Sequence, residues 1–272
     1  MKILVPFDFT PITRTALAHA LSLQKIFGGS IEVLHIAAKQ SQEAKLLSDL
    51  QNEMTALKPE EQQVVVAKVR VGDIFKDITK EAEAGAAQLL VMGTHGAKGL
   101  QKVLGSKAIK VITSGNTPFI VTQSKGPAES IRNIVMPVDL TKESAQIVNF
   151  AALMAKRFDA KIHVVHKNEK DEWLQNKLQS NVKYVRNVLA KEGIAGQVQV
   201  LPGKASFAKE CIAYGAECGA DLFAVAHFSE SILPQFDTFS QEMITNPEEL
   251  PVLIMNAEPV GSVKSQYSFL TI

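Results

Sequence analysis

Residues 2–35 read KILVPFDFTPITRTALAHALSLQKIFGGSIEVLH, and residues 133–166 read NIVMPVDLTKESAQIVNFAALMAKRFDAKIHVVH. Shifted by 131 positions they align without a gap, Pro6 on Pro137, Asp8 on Asp139, Thr10 on Thr141 and His35 on His166. The apolar stripe Ala16, Ala20, Leu23, Phe27 falls on Ile147, Ala151, Met154, Phe158. The same shift still pairs Gly72 with Gly203, after which it becomes 133: AQLLVMG (87–93) meets ADLFAVA (220–226), and Pro118 meets Pro251. Whatever this chain folds into, it makes it twice, and each copy has the length of an ordinary domain. The expected domains are 1–125 and 131–257. They are joined through the polar Gly- and Pro-containing stretch SKGPAES (124–130) and followed by a tail, 258–272, that fits no repeat element.

Each copy alternates short apolar runs with amphipathic patterns. In the first, strands are expected near 2–8, 31–36, 63–71, 88–93 and 118–123, and helices near 12–27, 42–57, 74–85 and 106–114. KILVPF, QLLVMG and PFIVTQ are apolar throughout rather than alternating. Strands buried on both faces of a parallel sheet read this way. Strand–helix–strand repetition predicts an α/β fold, two tandem doubly wound parallel five-stranded sheets. In the second copy Leu174, Leu178, Val182, Val185 and Leu189 mark a long amphipathic helix that stops at Gly193.

Lys and Arg number 29 against 28 Asp and Glu. No global field attracts nucleic acid or an anionic membrane, so neither is expected as a partner. No apolar stretch approaches the roughly 18 residues of a membrane span, and the opening MKILVPFDFT is too short an apolar run for a signal peptide. Cys211 and Cys218 lie seven apart in a helical pattern. That puts their α-carbons about 10 Å apart, too far for a disulfide. They read as two small buried side chains of a cytoplasmic protein.

The glycine-rich stretch MGTHGAKGLQKVLGS (92–106) begins at the carboxyl end of an expected strand and runs into the helical pattern KAIKVIT, with Ser106 placed as its N-cap. Glycines let a backbone come close to a ligand, and the N–H groups at a helix start bind anions. The spacing is neither a Walker loop nor G-x-G-x-x-G. Two readings therefore stand, a phosphate cradle and a flexible structural loop. Asp8 sits just past the first strand, where open α/β sheets bind ligands, and it equally suits a helix cap.

ILVPFDFT at the start, VLHI closing the second strand, and G-x2-G followed by a later Gly-Ser resemble the universal stress protein family. The resemblance covers both copies, to about residue 256. Its ATP-binding members carry G-x2-G-x9-G-(S/T). Here Gly93, Gly96, Gly105 and Ser106 match, with eight residues rather than nine between Gly96 and Gly105. The resemblance implies ATP or another adenine nucleotide as ligand, with Mg²⁺ as an optional companion. Carried over by position, Pro6 shapes the pocket, Asp8 meets the ribose and the Ile36 backbone meets adenine. Gly93, Gly96, Gly105, Ser106 and the Lys107 amide would hold phosphates, and His95 lies inside the loop. His35 reads as a packed strand-end residue, and Lys98 and Lys102 as a solvated face.

In the second copy Gly93, Gly96, Gly105 and Ser106 become Ala226, Ser229, Thr238 and Phe239. That copy keeps the scaffold without the loop, so one nucleotide per chain is expected. The function so implied is nucleotide-dependent stress response or signalling. The alternatives are a scaffold acting through protein partners and, at most, a slow ATP hydrolase. The family also implies that the two copies pair as a pseudo-two-fold dimer. The apolar PFIVTQ and PVLIMN are the edges expected to meet, and a homodimer of chains is a further expectation.

Overall fold

A computed structural model describes residues 1–94, 111, 115–228 and 238–257 of the chain. The chain forms two compact units that divide between Pro127 and Ala128. The first contains β1 (Lys2–Pro6), α1 (Pro11–Phe27), β2 (Ser30–Ala37), α2 (Glu43–Met54) and α3 (Pro59–Gln62), then β3 (Val65–Val71), α4 (Ile74–Ala84), β4 (Leu89–Gly93) and β5 (Phe119–Thr122). Its strands run in the order β3-β2-β1-β4-β5, all parallel. The helix expected near 106–114 lies outside the described residues apart from Val111. The short α3 was not anticipated; Pro59 at its first position and the Glu61 carboxylate bonded to the Lys58 N–H start it.

The second unit repeats the plan with β6 (Asn133–Pro137), α5 (Val148–Phe158), β7 (Lys161–Lys167), α6 (Glu172–Lys191) and β8 (Gly196–Leu201), then α7 (Phe207–Cys218), β9 (Leu222–His227), α8 (Thr238–Ile244) and β10 (Val252–Asn256). The order is β8-β7-β6-β9-β10, again all parallel. Parallel neighbours need a crossover, and the helices supply it while covering the sheet faces. Ile3, Leu4, Leu89, Leu90 and Phe119 in the first unit, and Ile134, Leu222, Phe223 and Val252 in the second, are fully buried.

Helix α1 starts on Thr10, whose hydroxyl accepts from the Thr13 N–H, with Pro11 at the first position, and it ends at Gly28 with φ 69°. It turns Ala16, Leu17, Ala20, Leu21 and Leu23 inward. Its counterpart begins differently: a 3-10 turn, Glu143–Ala145, precedes α5, which starts only at Val148. The copies differ at Gly93 as well. A Cβ there would lie 2.6 Å from Ile12 Cγ2 and 2.7 Å from the Ile12 carbonyl oxygen. The second unit carries a Cβ at this position, on Ala226, and its helix starts later.

The two units also diverge at one buried polar position. In the first, Lys2, Glu32, Lys68, Glu81, Arg70 and Asp77 form a chain of ion pairs from β1 across β2 and β3 to α4, including Lys2–Glu32 at 3.0 Å and Arg70–Glu81 at 2.7 Å. In the second, the counterparts of Lys2, Glu32 and Glu81 are Asn133, His163 and Tyr214. Asn133 donates through Nδ2 to the Gly219 carbonyl, which leaves its Oδ1 to accept from His163 Nε2 at 3.1 Å. His163 Nδ1 then accepts from the Tyr214 hydroxyl at 2.9 Å. Burial, with Lys161 adding to it, pushes the His163 pKa below its ordinary value. For Glu81, burial acts to raise the pKa, but the hydrogen bonds from Lys68 and Arg70 outweigh it and the net shift is downward.

These shifts fix the sign of the pH response. A histidine held neutral in the fold but free to protonate when unfolded stabilises the protein above its ordinary value and loses that contribution as pH falls. Glu81 keeps its contribution until the pH falls below the ordinary carboxylate range. Taking the chain from about pH 7 to about pH 5.5 is expected to lower its melting temperature, and His163→Gln should reduce that drop. Differential scanning calorimetry of the two proteins at the two pH values checks it. An equal drop in both would contradict the assignment.

Candidate functional site

In each unit the sheet reverses strand order beside its first strand, between β1 and β4 and between β6 and β9. Open α/β sheets bind ligands at the carboxyl ends flanking such a switch point. Four sequence-predicted residues meet there in the first unit. Pro6 ends β1 and is buried, Asp8 follows and is exposed, Ile36 lies near the end of β2, and Gly93 ends β4. His95, Gly96, Gly105, Ser106 and Lys107 lie outside the described residues.

Asp8 organises the turn from β1 into α1. Its Oδ1 accepts from the Thr10 N–H (3.1 Å), the Thr10 hydroxyl (2.6 Å) and the Thr13 hydroxyl (3.0 Å), and its own N–H donates to Thr13 Oγ1. Asp139 repeats this, accepting from Thr141 N–H and hydroxyl while its N–H donates to Ser144 Oγ. An Asx turn that shapes the chain after the first strand therefore accounts for the aspartate in both copies, with or without a glycine loop.

Ile36 owes its position to His35. The Phe7 N–H bonds to the Leu34 carbonyl at 2.8 Å, the last rung between β1 and β2. The next rung would take the Ile36 N–H to the Phe7 carbonyl. That carbonyl instead accepts from His35 Nδ1 at 2.7 Å. On β2, residues 31 and 37 bond toward β3. By alternation Ile36 faces the opposite edge, beyond the point where β1 leaves the sheet. Its N–H and C=O thus form an adjacent donor and acceptor at the switch point, a pair that matches one edge of a purine base.

Sequence reasoning missed Phe9. It adopts φ 65°, a conformation uncommon outside glycine and frequent at functional sites. Its ring packs on Phe7 (centroids 5.5 Å apart) and His35 (5.1 Å). Beside it a cleft of about 520 Å³ is lined by Leu46, Asn52 and Glu53 of α2, and Arg14 of α1 is paired with that glutamate. The available signal was an aromatic on each side of Asp8, which is silent about backbone hand. In the second unit Leu140 replaces Phe9, and α6 is tied to this loop directly. Asn181 Nδ2 donates to the Asp139 and Thr141 carbonyls at 3.0 and 2.9 Å.

Thr238 and Phe239, which replace Gly105 and Ser106, open helix α8. The Phe239 ring stacks on Phe207 with centroids 5.2 Å apart, and Ser240 is fully buried. Among the described residues no group of three His, Cys, Asp or Glu side chains is placed to hold a metal ion, and no helix is long and apolar enough to cross a membrane.

Residues 1–123 match the model of the Universal stress protein family. Two universal stress proteins of Methanocaldococcus jannaschii resemble the chain. One is 25% identical over 154 residues, 46% of this chain and 95% of that protein. The other is 29% identical over 140 residues, 45% of this chain and 81% of that protein. The crystal structure of a universal stress protein from Archaeoglobus fulgidus matches 94% of this chain and 98% of its own, with a TM-score of 0.69 and 19% identity. That match carries the fold across both repeats.

The contact at Gly93 yields a test. Gly93→Ala should destabilise the chain by about 1–3 kcal/mol, because Ile12 must shift or the first turn of α1 must lift. Chemical denaturation checks it, and a variant as stable as the parent would show that β4 and α1 are not in close contact.

Proposed function

Residues 1–123 match the universal stress protein family, and from that premise we propose that the N-terminal repeat binds ATP or another adenine nucleotide and that the second repeat does not. The observation that carries the reading is the asymmetry between two otherwise matching switch points. In the first, Gly93 ends β4, Ile36 turns a backbone donor and acceptor toward the β1 side, and a glycine-rich sequence ending in Gly105-Ser106 follows. In the second, Ala226 stands in place of Gly93 and Thr238-Phe239 in place of Gly105-Ser106, and Asn181 bridges to the Asp139 loop.

In this reading the Ile36 backbone reads the base, Pro6 and Phe7 bound its pocket, and the Asp8 carboxylate meets the ribose. Gly93, Gly96, Gly105, Ser106 and the Lys107 amide take the phosphates. The metal, where one accompanies the phosphates, is Mg²⁺. Nucleotide binding then serves a stress-response or signalling role. Pairing of the two repeats through their apolar last strands, β5 and β10, belongs to the same reading, as do the domain limits 1–125 and 131–257.

Gly96→Val tests it. A branched side chain at a position meant for close backbone approach should weaken ATP binding at least about tenfold, equivalent to ~1.4 kcal/mol. Calorimetric titration measures it, with circular dichroism to verify the fold. Unchanged affinity in a folded variant would sink the loop assignment.

A further inference from the structure

The two repeats treat their outer strands differently. In the first unit β3 carries Lys68 and Arg70, both tied to Glu81. Charged side chains of this kind protect a sheet edge from pairing with another chain. Their counterparts on β8 are Gln199 and Leu201, and the strand, GQVQVL, has no charge and no proline. Val69 of β3 is 9% exposed, whereas its counterpart Val200 is 47% exposed and Val198 is 36% exposed. Helix α6 therefore leaves uncovered a face of the edge strand that the first unit covers.

The backbone along that edge is presented outward. Ala195 and Leu201 turn their carbonyls toward β7, accepting from Ile162 (3.0 Å) and Asn168 (3.1 Å). Alternation then points the N–H and C=O of Gly196, Val198 and Val200 away from β7. Among the described residues β8 pairs only with β7. The Val200 carbonyl accepts locally from the exposed Gln199 amide at 3.1 Å. Between this strand and α6 runs a groove of about 620 Å³ with an apolar floor, Val164, Val182 and Leu189, and with Lys183 and Arg186 on its α6 side. Both cations are exposed, and neither joins an ion pair among the described residues.

We propose that the β8 edge and this groove form a docking site for an extended, acidic segment of a partner protein. The segment adds as a further strand on β8, seats apolar side chains on Val198 and Val200, and places carboxylates at Lys183 and Arg186. A second copy of the chain fits less well. A two-fold contact is self-complementary, so it would set this cationic rim against itself. The site lies in the second repeat and stands independently of nucleotide binding in the first.

The test uses the full chain and a short synthetic peptide alternating valine with glutamate. Its lysine-for-glutamate analogue and a single-stranded oligothymidylate are measured beside it. The glutamate peptide should bind by fluorescence anisotropy, lose affinity as salt rises, and slow amide exchange at Val198 and Val200. The double variant Lys183→Glu, Arg186→Glu should weaken it about tenfold or more. Val200→Pro should do the same, since it removes an outward N–H that the β7 ladder does not use. Failure of the glutamate peptide to bind would overturn the proposal, as would equal binding of the lysine analogue. Preference for the oligothymidylate would make the surface a nucleic-acid site, and self-association that Val200→Pro abolishes would make it a contact between copies. Either result overturns it.

Discussion

A parallel sheet buried on both faces leaves its connections one place to put function. Every strand of this chain must be followed by a crossover before its parallel neighbour can form, and the crossovers cover both faces. The carboxyl ends flanking the first strand are where neighbouring loops diverge and leave room. In the first unit the decisive contact there is between Gly93 and Ile12, which meet closer than any side chain allows. It brings the first turn of α1, and with it the Thr10–Asp8 cap, against the end of β4. His35 completes the arrangement by taking the Phe7 carbonyl, so that Ile36 extends past the end of β1.

Duplication relaxes this constraint in one copy. The second unit has Ala226 in place of Gly93, a 3-10 turn before its helix, and an Asn181 that ties the loop to α6. Phe239, at the sequence position of Ser106, stacks on Phe207. Each change adds packing or hydrogen bonding that an open site would forgo. Where the first unit has its ion-pair chain the second has the Asn133–His163–Tyr214 hydrogen bonds, and its outer strand carries no charges. Two units of one fold thus present different side chains at matching places.

Much of this was legible from residues alone. The repeat, the buried character of KILVP, LLVMG and FIVT, and the helix expected near 12–27, which runs from Pro11 to Phe27, follow from local composition and period. So did the asymmetry of the glycine stretch, because it needs only an alignment of the chain with itself. What sequence could not supply was geometry that depends on distant partners. Phe9 has a left-handed backbone because the turn requires it, not because phenylalanine prefers it. The start of α5 at Val148, after a 3-10 turn, is likewise set by tertiary context. Gly93 read as a position for ligand approach, and the structure adds a steric reason for it that lies inside the protein.

The central claim is that one repeat answers to nucleotide and the other does not. Hydrogen–deuterium exchange of the full chain with and without saturating ATP addresses it residue by residue. The account predicts slowed exchange in the turn from Pro6 to Thr10 and at the end of β2 around Ile36. Exchange at the counterparts, from Pro137 to Thr141 and around Lys167, should stay unchanged. Protection of both sets, of the second alone, or of neither at saturation would contradict it.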